Sequence, residues 1–325
     1  MVSPPLGVLT ILLAFAIGPA DANAQKDLLQ QAEMAYDAET YETAISLVDS
    51  MVVLDTLNIN DDVPTALHVE AKAYKAMGDW EKAVETLDEA LARDPFFANA
   101  YIMKARILNE RGETVEAMAA AEEAARLEPQ SLDVQMLFAN IQFKTNSYGA
   151  AIDTYSDLLS LDPSNAEAYI MRGRSRLKLD RLEKAYFDAV DAIEMVPERP
   201  EPYQIKAEAE FRARQFQNAA NSYRTLAEKL KAADGSDRAI ATAYSNRGQA
   251  LLNLEQLDAA LGSLNRAIQV DPSLAVAYRT RGMVYGQKEN REPACTDFEK
   301  ALALGLDDEF KSEVEEIVGS YCAAQ

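Results

Sequence analysis

The stretch LHVEAKAYKAMGDWEKAVETLDEALARDP, residues 67 to 95, sets the pattern for the whole chain. Leu67 precedes a small residue, Ala71, by four positions, and Leu87 follows a second small residue, Ala83, by four. Residues four apart lie on one helical face, and a small side chain lets the backbones of two helices approach closely. Pro95 closes the stretch, where a helix must stop and the chain must turn. The reading is an antiparallel helix pair.

Working outward, the first small position recurs as Ala32, Ala71, Ala105, Ala139, Gly173, Ala207, Gly248 and Gly282. The step is 34 residues from Ala71 to Ala207 and again from Gly248 to Gly282. The second small position follows twelve residues later each time, as Ala44, Ala83, Ala117, Ala151, Ala185, Ala219, Ala260 and Ala294. Two series in phase over eight copies mark an internal repeat. One helix pair cannot bury its apolar stripe alone, so successive pairs stack and the core runs lengthwise through them.

These spacings resemble the tetratricopeptide repeat family, most plainly at Ala71, Tyr74, Gly78, Trp80, Ala83, Leu87, Ala90 and Pro95, and the likeness extends over nearly all of Lys26 to Ala303. The resemblance implies an all-α fold, a right-handed α-solenoid of about eight helix pairs. Units one to six fall in 25–230 and units seven and eight in 241–306. Between the first and second units the step grows to 39, which places a polar loop around Asn58 to Asp62. Between the sixth and seventh it grows to 41, and 231–240, with Gly235, reads as an insert or hinge: a lengthened helix, then a turn. Glu309 to Tyr321 puts Phe310, Val314, Ile317, Val318 and Tyr321 on one helical side. The segment 307–325 is therefore expected to be a capping helix and tail that covers the end of the stack.

The chain has 325 residues, a net charge of -21 and a pI near 4.5. Nucleic-acid binding rests on Lys and Arg releasing counterions from phosphates, so nucleic acid is not an expected partner. Leu6 to Ile17 is almost purely apolar and is followed by Gly18, Pro19 and the triplet Ala22-Asn23-Ala24. Residues 1–24 read as a signal peptide, although no Lys or Arg precedes Leu6. The run is too short for a membrane-spanning helix of roughly 20 residues, so no stable membrane insertion is expected. An exported, soluble protein of the periplasm follows as the expectation. In such a compartment Cys295 and Cys322 either pair as a disulfide, worth about 3 to 4 kcal/mol in the chain-entropy account, or stay as two half-buried thiols.

Catalytic groups are sparse. His68 is the one histidine of the chain, which nearly excludes Ser-His-Asp and Cys-His arrangements and a His-rich metal site. The oxygen-rich group Asp55, Asn58, Asn60, Asp61 and Asp62 lacks the Gly and terminal Glu of a calcium loop. No enzyme, cofactor or metal is expected. The family resemblance instead places the first helix of each pair on an inner face, with the residues flanking the first small position in a partner-binding groove. On this chain those are His68, Lys72, Lys75, Ile102, Arg106, Asn109, Met136, Asn140, Phe143, Ile170, Arg174, Leu177 and Lys178. The cations Lys72, Lys75, Arg106, Lys144, Arg174 and Lys178 outnumber Glu110, Asp133 and Glu167 there. One reading is a groove for an extended protein or peptide segment with apolar and acidic groups; the other is that these cations offset neighbouring acids and lie along the helices. Arg172, Arg247 and Arg281 recur just before the glycines and are assigned to packing between helices. The function expected is a non-catalytic protein-protein interaction scaffold or adaptor in the cell envelope, with a periplasmic holdase or peptide-binding chaperone of broad specificity as the alternative.

Overall fold

The computed structural model describes residues 22–55 and 61–322, and among them are seventeen α-helices and no strand. The apolar run at 6–17 and residues Asn58 to Asn60 lie outside the described residues, while Ala22 to Ala24 open the first helix.

The chain forms two compact units, divided between Asn146 and Ser147. The first holds α1 (Ala22–Asp37), α2 (Tyr41–Leu54), α3 (Val63–Met77), α4 (Trp80–Arg93), α5 (Ala98–Arg111), α6 (Thr114–Leu127) and α7 (Leu132–Lys144). The second holds α8 (Tyr148–Leu161), α9 (Ala166–Lys178), α10 (Leu182–Met195), α11 (Pro200–Arg212), α12 (Phe216–Ala232), α13 (Asp237–Asn253), α14 (Leu257–Val270), α15 (Ala275–Gln287), α16 (Arg291–Leu304) and α17 (Asp308–Ile317). Inside each unit consecutive helices pack together, and first helices of neighbouring pairs also touch: α1 on α3, α5 on α7, α9 on α11, α13 on α15. This is an all-α solenoid.

The small columns explain the stacking. Every alanine in both columns is 0% exposed. At Gly248 a β-carbon would fall 2.6 Å from Leu264 Cγ, and at Gly282 2.9 Å from the Phe298 ring, so only glycine allows these helices to close up. Asp94, Asp162 and Asp271, each followed by proline, accept a hydrogen bond from the backbone N–H of Phe96, Ser164 and Ser273 and fix the turns between pairs.

The turn inside each pair needs one residue in the left-handed region. Gly78 and Gly112 supply it with φ of 84° and 82°. At the same repeat position Glu39, Asn146, Asp180, Arg214, Glu255 and Glu289 hold φ between 56° and 60° with a full side chain. A left-handed L-residue costs roughly 1–2 kcal/mol. Arg214→Gly is therefore expected to raise stability by about 1 kcal/mol in urea unfolding, after the entropy glycine adds to the unfolded chain; an unchanged or lower midpoint would contradict this.

The longer step between units six and seven extends both α12 and α13 to 17 residues, joined through Ala233–Ser236 and packed against each other inside the second unit. At the C-terminal end, α17 lays Phe310, Val314 and Ile317 against a cluster containing Tyr278, Tyr285 and Phe298. Tyr321 is a correction to the expected apolar side: it lies at the surface beneath the Arg291 guanidinium, 5.5 Å from its ring centre. Cys295 and Cys322 are joined in a disulfide, with Cα atoms 5.6 Å apart. No helix among the described residues is long and apolar enough to cross a membrane.

Buried ion pairs tie neighbouring helices. Arg172 of α9 reaches Asp188 of α10 at 2.8 Å and Ser156 of α8 at 3.1 Å, and Arg176 meets the same Asp188 at 2.6 Å. Arg281 of α15 likewise joins Asp297 of α16 and Asn265 of α14, both at 2.7 Å.

Candidate functional site

Helical spacing lines up His68, Lys72 and Lys75 on α3, and Ile102 and Arg106 on α5. These five line one hollow of about 470 Å³ in the first unit, together with Asn99, Met103 and Ser131 and the acids Glu128 and Asp133. Burial, with the Lys72 charge beside it, pushes the His68 imidazole down to about 4. It is neutral near pH 7 and stands edge-on to Phe97, with ring centres 5.7 Å apart. Lys72 rests its ammonium 4.2 Å from the centre of the Tyr36 ring. Lys75 pairs with Glu110 at 3.1 Å and lies 5.4 Å from the Trp80 ring centre. Arg106 is exposed and takes part in no ion pair among the described residues. A cation stacked on a ring and one directed to solvent are both available to an incoming carboxylate.

The other expected groove residues are placed differently. Asn109 is occupied: its backbone carbonyl and its side-chain oxygen both accept from Lys144 Nζ, at 2.6 and 2.9 Å. Met136, Asn140 and Phe143 are half-buried on α7 and do not line the hollow. In the second unit Arg174 is half-buried, with Nη1 3.8 Å from Met171 Sδ, and Lys178 is exposed. Ile170 and Leu177 are corrections. They are 0% and 5% exposed, enclosed with Ala185, Ala189, Ile205 and Ala209, and offer no surface to a partner. Asn99 and Asp133 share one position of the repeat, 34 residues apart. That register was the signal that could have placed Asn99 in the hollow.

On α3, Glu70 points into the helix stack and is 7% exposed. Burial, reinforced by Asp49 and Glu89, raises its pKa to about 7, against a small opposing hydrogen bond with Tyr74. The folded pKa is above the unfolded value of 4.5, so the folded chain binds the proton more tightly. The cost of ionising Glu70 is then fully present above pH 7 and fades as pH falls toward 4.5. Glu70→Gln is expected to stabilise the protein by about 3 kcal/mol at pH 8 and by little at pH 4. Urea unfolding at both pH values checks it, and an equal effect at the two would refute the assignment.

Tetratricopeptide repeat profiles match residues 68–131, 108–169 and 241–274. The chain belongs to the tetratricopeptide repeat family. This tetratricopeptide repeat protein is 30% identical over 162 residues to human DnaJ homolog subfamily C member 7, covering 47% of this chain and 33% of that one. It is 25% identical over 291 residues to the human mitochondrial import receptor subunit TOM70, covering 76% of this chain and 46% of that one. It thus spans less than half the length of these curated relatives. Among solved structures, a tetratricopeptide repeat protein from Parabacteroides merdae superposes with a TM-score of 0.57 at 18% identity, covering 79% of this chain and 99% of that one. The C-terminal part of a repeat-containing protein from Cytophaga hutchinsonii gives 0.62 at 13% identity, covering 78% and 98%. At these identities the structural likeness speaks for the fold.

Proposed function

We propose that this protein is a non-catalytic interaction scaffold of the cell envelope that holds an extended segment of a partner protein, the segment carrying acidic and apolar groups. The observation that carries the reading is the hollow of the first unit, where Lys72 and Arg106 flank Ile102 and Met103. Extended segments are held by alternating pockets for side chains, and charge complementarity favours acids here even though the whole chain is acidic. Relatives named as an import receptor subunit and as the Hsp70-Hsp90 organizing protein of wheat support a role in binding proteins. Two features support the envelope: the apolar run at 6–17, and a disulfide of the kind that persists in oxidising compartments.

The test combines Lys72→Glu, Lys75→Glu and Arg106→Glu and measures binding of fluorescent unstructured peptides. The peptides interleave Leu or Phe with Asp or Glu. At least tenfold weaker binding by the triple variant is expected; unchanged affinity would remove the groove. Equal affinity for acidic, neutral and basic peptides would instead favour a holdase of broad specificity.

A further inference from the structure

The residue before the first small position is a cation in five of the eight units: Lys104, Arg172, Lys206, Arg247 and Arg281. Four of them have a carboxylate within the chain. Lys104 pairs with Asp88, Arg172 with Asp188, Lys206 with Glu210 at 3.0 Å, and Arg281 with Asp297. Arg247 takes part in no ion pair among the described residues, and its Nε is buried without a hydrogen-bond partner.

The repeat explains the exception. The position that gives Asp188 to Arg172 and Asp297 to Arg281 holds Ser263 in the unit of Arg247. Ser263 is buried and spends its hydroxyl on the Ala259 carbonyl of its own helix, at 3.0 Å. The position that gives Asp88 to Lys104, Ser156 to Arg172 and Asn265 to Arg281 holds Arg224. Arg266, stacked 5.2 Å from the centre of the Tyr244 ring, adds a further positive charge that acts on Arg247. Burial pulls the Arg247 pKa down and the Arg224 charge adds to that, with Glu228 the one acid opposing. A half-buried guanidinium whose Nε is sealed from solvent, with two like charges acting on it, is costly unless a carboxylate completes it.

We propose that Arg224, Arg247 and Arg266 form a binding site for an acidic side chain of a partner protein, supplying from outside the carboxylate that the fifth and eighth units carry in their own sequence. Arginine clusters recognise acidic segments through paired N–H donors. The site lies on α12, α13 and α14 and is independent of the groove in the first unit.

The test uses the full chain already carrying the triple charge reversal at Lys72, Lys75 and Arg106, so that the groove contributes nothing, and a fluorescent tetraglutamate peptide as probe. Ser263→Asp is expected to fill the slot from within: thermal stability rises and peptide affinity falls at least tenfold. Arg224→Gln, at an exposed side chain that leaves the core intact, is expected to weaken the peptide by a similar factor. Unchanged affinity in both variants overturns the site. Citrate or sulfate competing as well as tetraglutamate at matched ionic strength overturns the protein source in favour of a free anion. Self-association that disappears with Arg224→Gln overturns it in favour of a second copy of the chain.

Discussion

Asp188→Ala is expected to lower the stability of the second unit by about 3 to 5 kcal/mol, the range for breaking a buried ion pair from one side. Asp188 is 1% exposed and neutralises two guanidinium groups, Arg172 and Arg176, which are themselves largely covered. Without it, Arg172 keeps the Ser156 hydroxyl and Arg176 keeps the Lys184 carbonyl at 3.2 Å, and neither brings a negative charge. Burial outweighs the arginines at this carboxyl and holds its pKa above the ordinary value, while burial also lowers that of Arg176. Both charges have thus given up much of their hydration, so the penalty for losing one partner comes mainly from the charges left behind. Alanine retains the β-carbon that abuts Gly173, so that close contact is kept while the carboxylate is removed with its charge and its hydrogen bonds. Urea unfolding of the single variant should show the full loss. Asp188→Ala combined with Arg172→Leu and Arg176→Leu should recover much of it, because the orphaned charges are gone. A single variant within 1 kcal/mol of the parent would mean that solvent reaches the pair.

The same periodicity that exposed the fold also limited the reading of the groove. Ala105, Ala139 and Gly173 are legible because close approach of two helices leaves no alternative to a small side chain, and that constraint repeats every 34 residues. Ile102 and Ile170 hold one position of the repeat, yet Ile102 lines the hollow and Ile170 is sealed. Ile205 and Ala209 enclose Ile170, whereas Leu137 and Ile141, at the matching positions and no smaller, leave Ile102 half-buried at the hollow. How closely the next pair approaches therefore decides the exposure, and that is not written in the local pattern. Asn109 shows the same limit for polar groups, since its position faces the groove in the repeat but Lys144, 35 residues on, occupies it. The mismatch at Arg247 was open to the sequence in principle, because it needs only Asp188, Ser263 and Asp297 to be aligned. What the alignment lacks is the contact itself, the reach of Arg172 and Arg281 to those aspartates.

Opening the Cys295–Cys322 disulfide should cost the C-terminal end about 3.6 kcal/mol, from the chain entropy released by a closed loop of 27 residues. The consequence is local, because a solenoid is stabilised through contacts between neighbouring repeats and its last element has a neighbour on one side only. Apart from the disulfide, α17 is held by Phe310, Val314 and Ile317 in the terminal cluster and by Arg279 pairing with Glu313 and stacking 4.3 Å from the Phe310 ring centre, and the segment after it by Arg291 donating to the Cys322 carbonyl at 3.3 Å. These contacts are few for a helix of ten residues that carries five acids in its own span, Asp308, Glu309, Glu313, Glu315 and Glu316. The double variant Cys295→Ser, Cys322→Ser, or the parent protein under dithiothreitol, should therefore show amide exchange in α17 faster by about two to three orders of magnitude. Exchange in α9 and α10 should stay as it was. Detachment of the cap would uncover Phe298 and Tyr285, so the reduced protein should also bind a hydrophobic dye more strongly. Uniform acceleration across both units would show that the cap is coupled to the whole stack, and no acceleration in α17 would show that its side-chain contacts suffice without the covalent link.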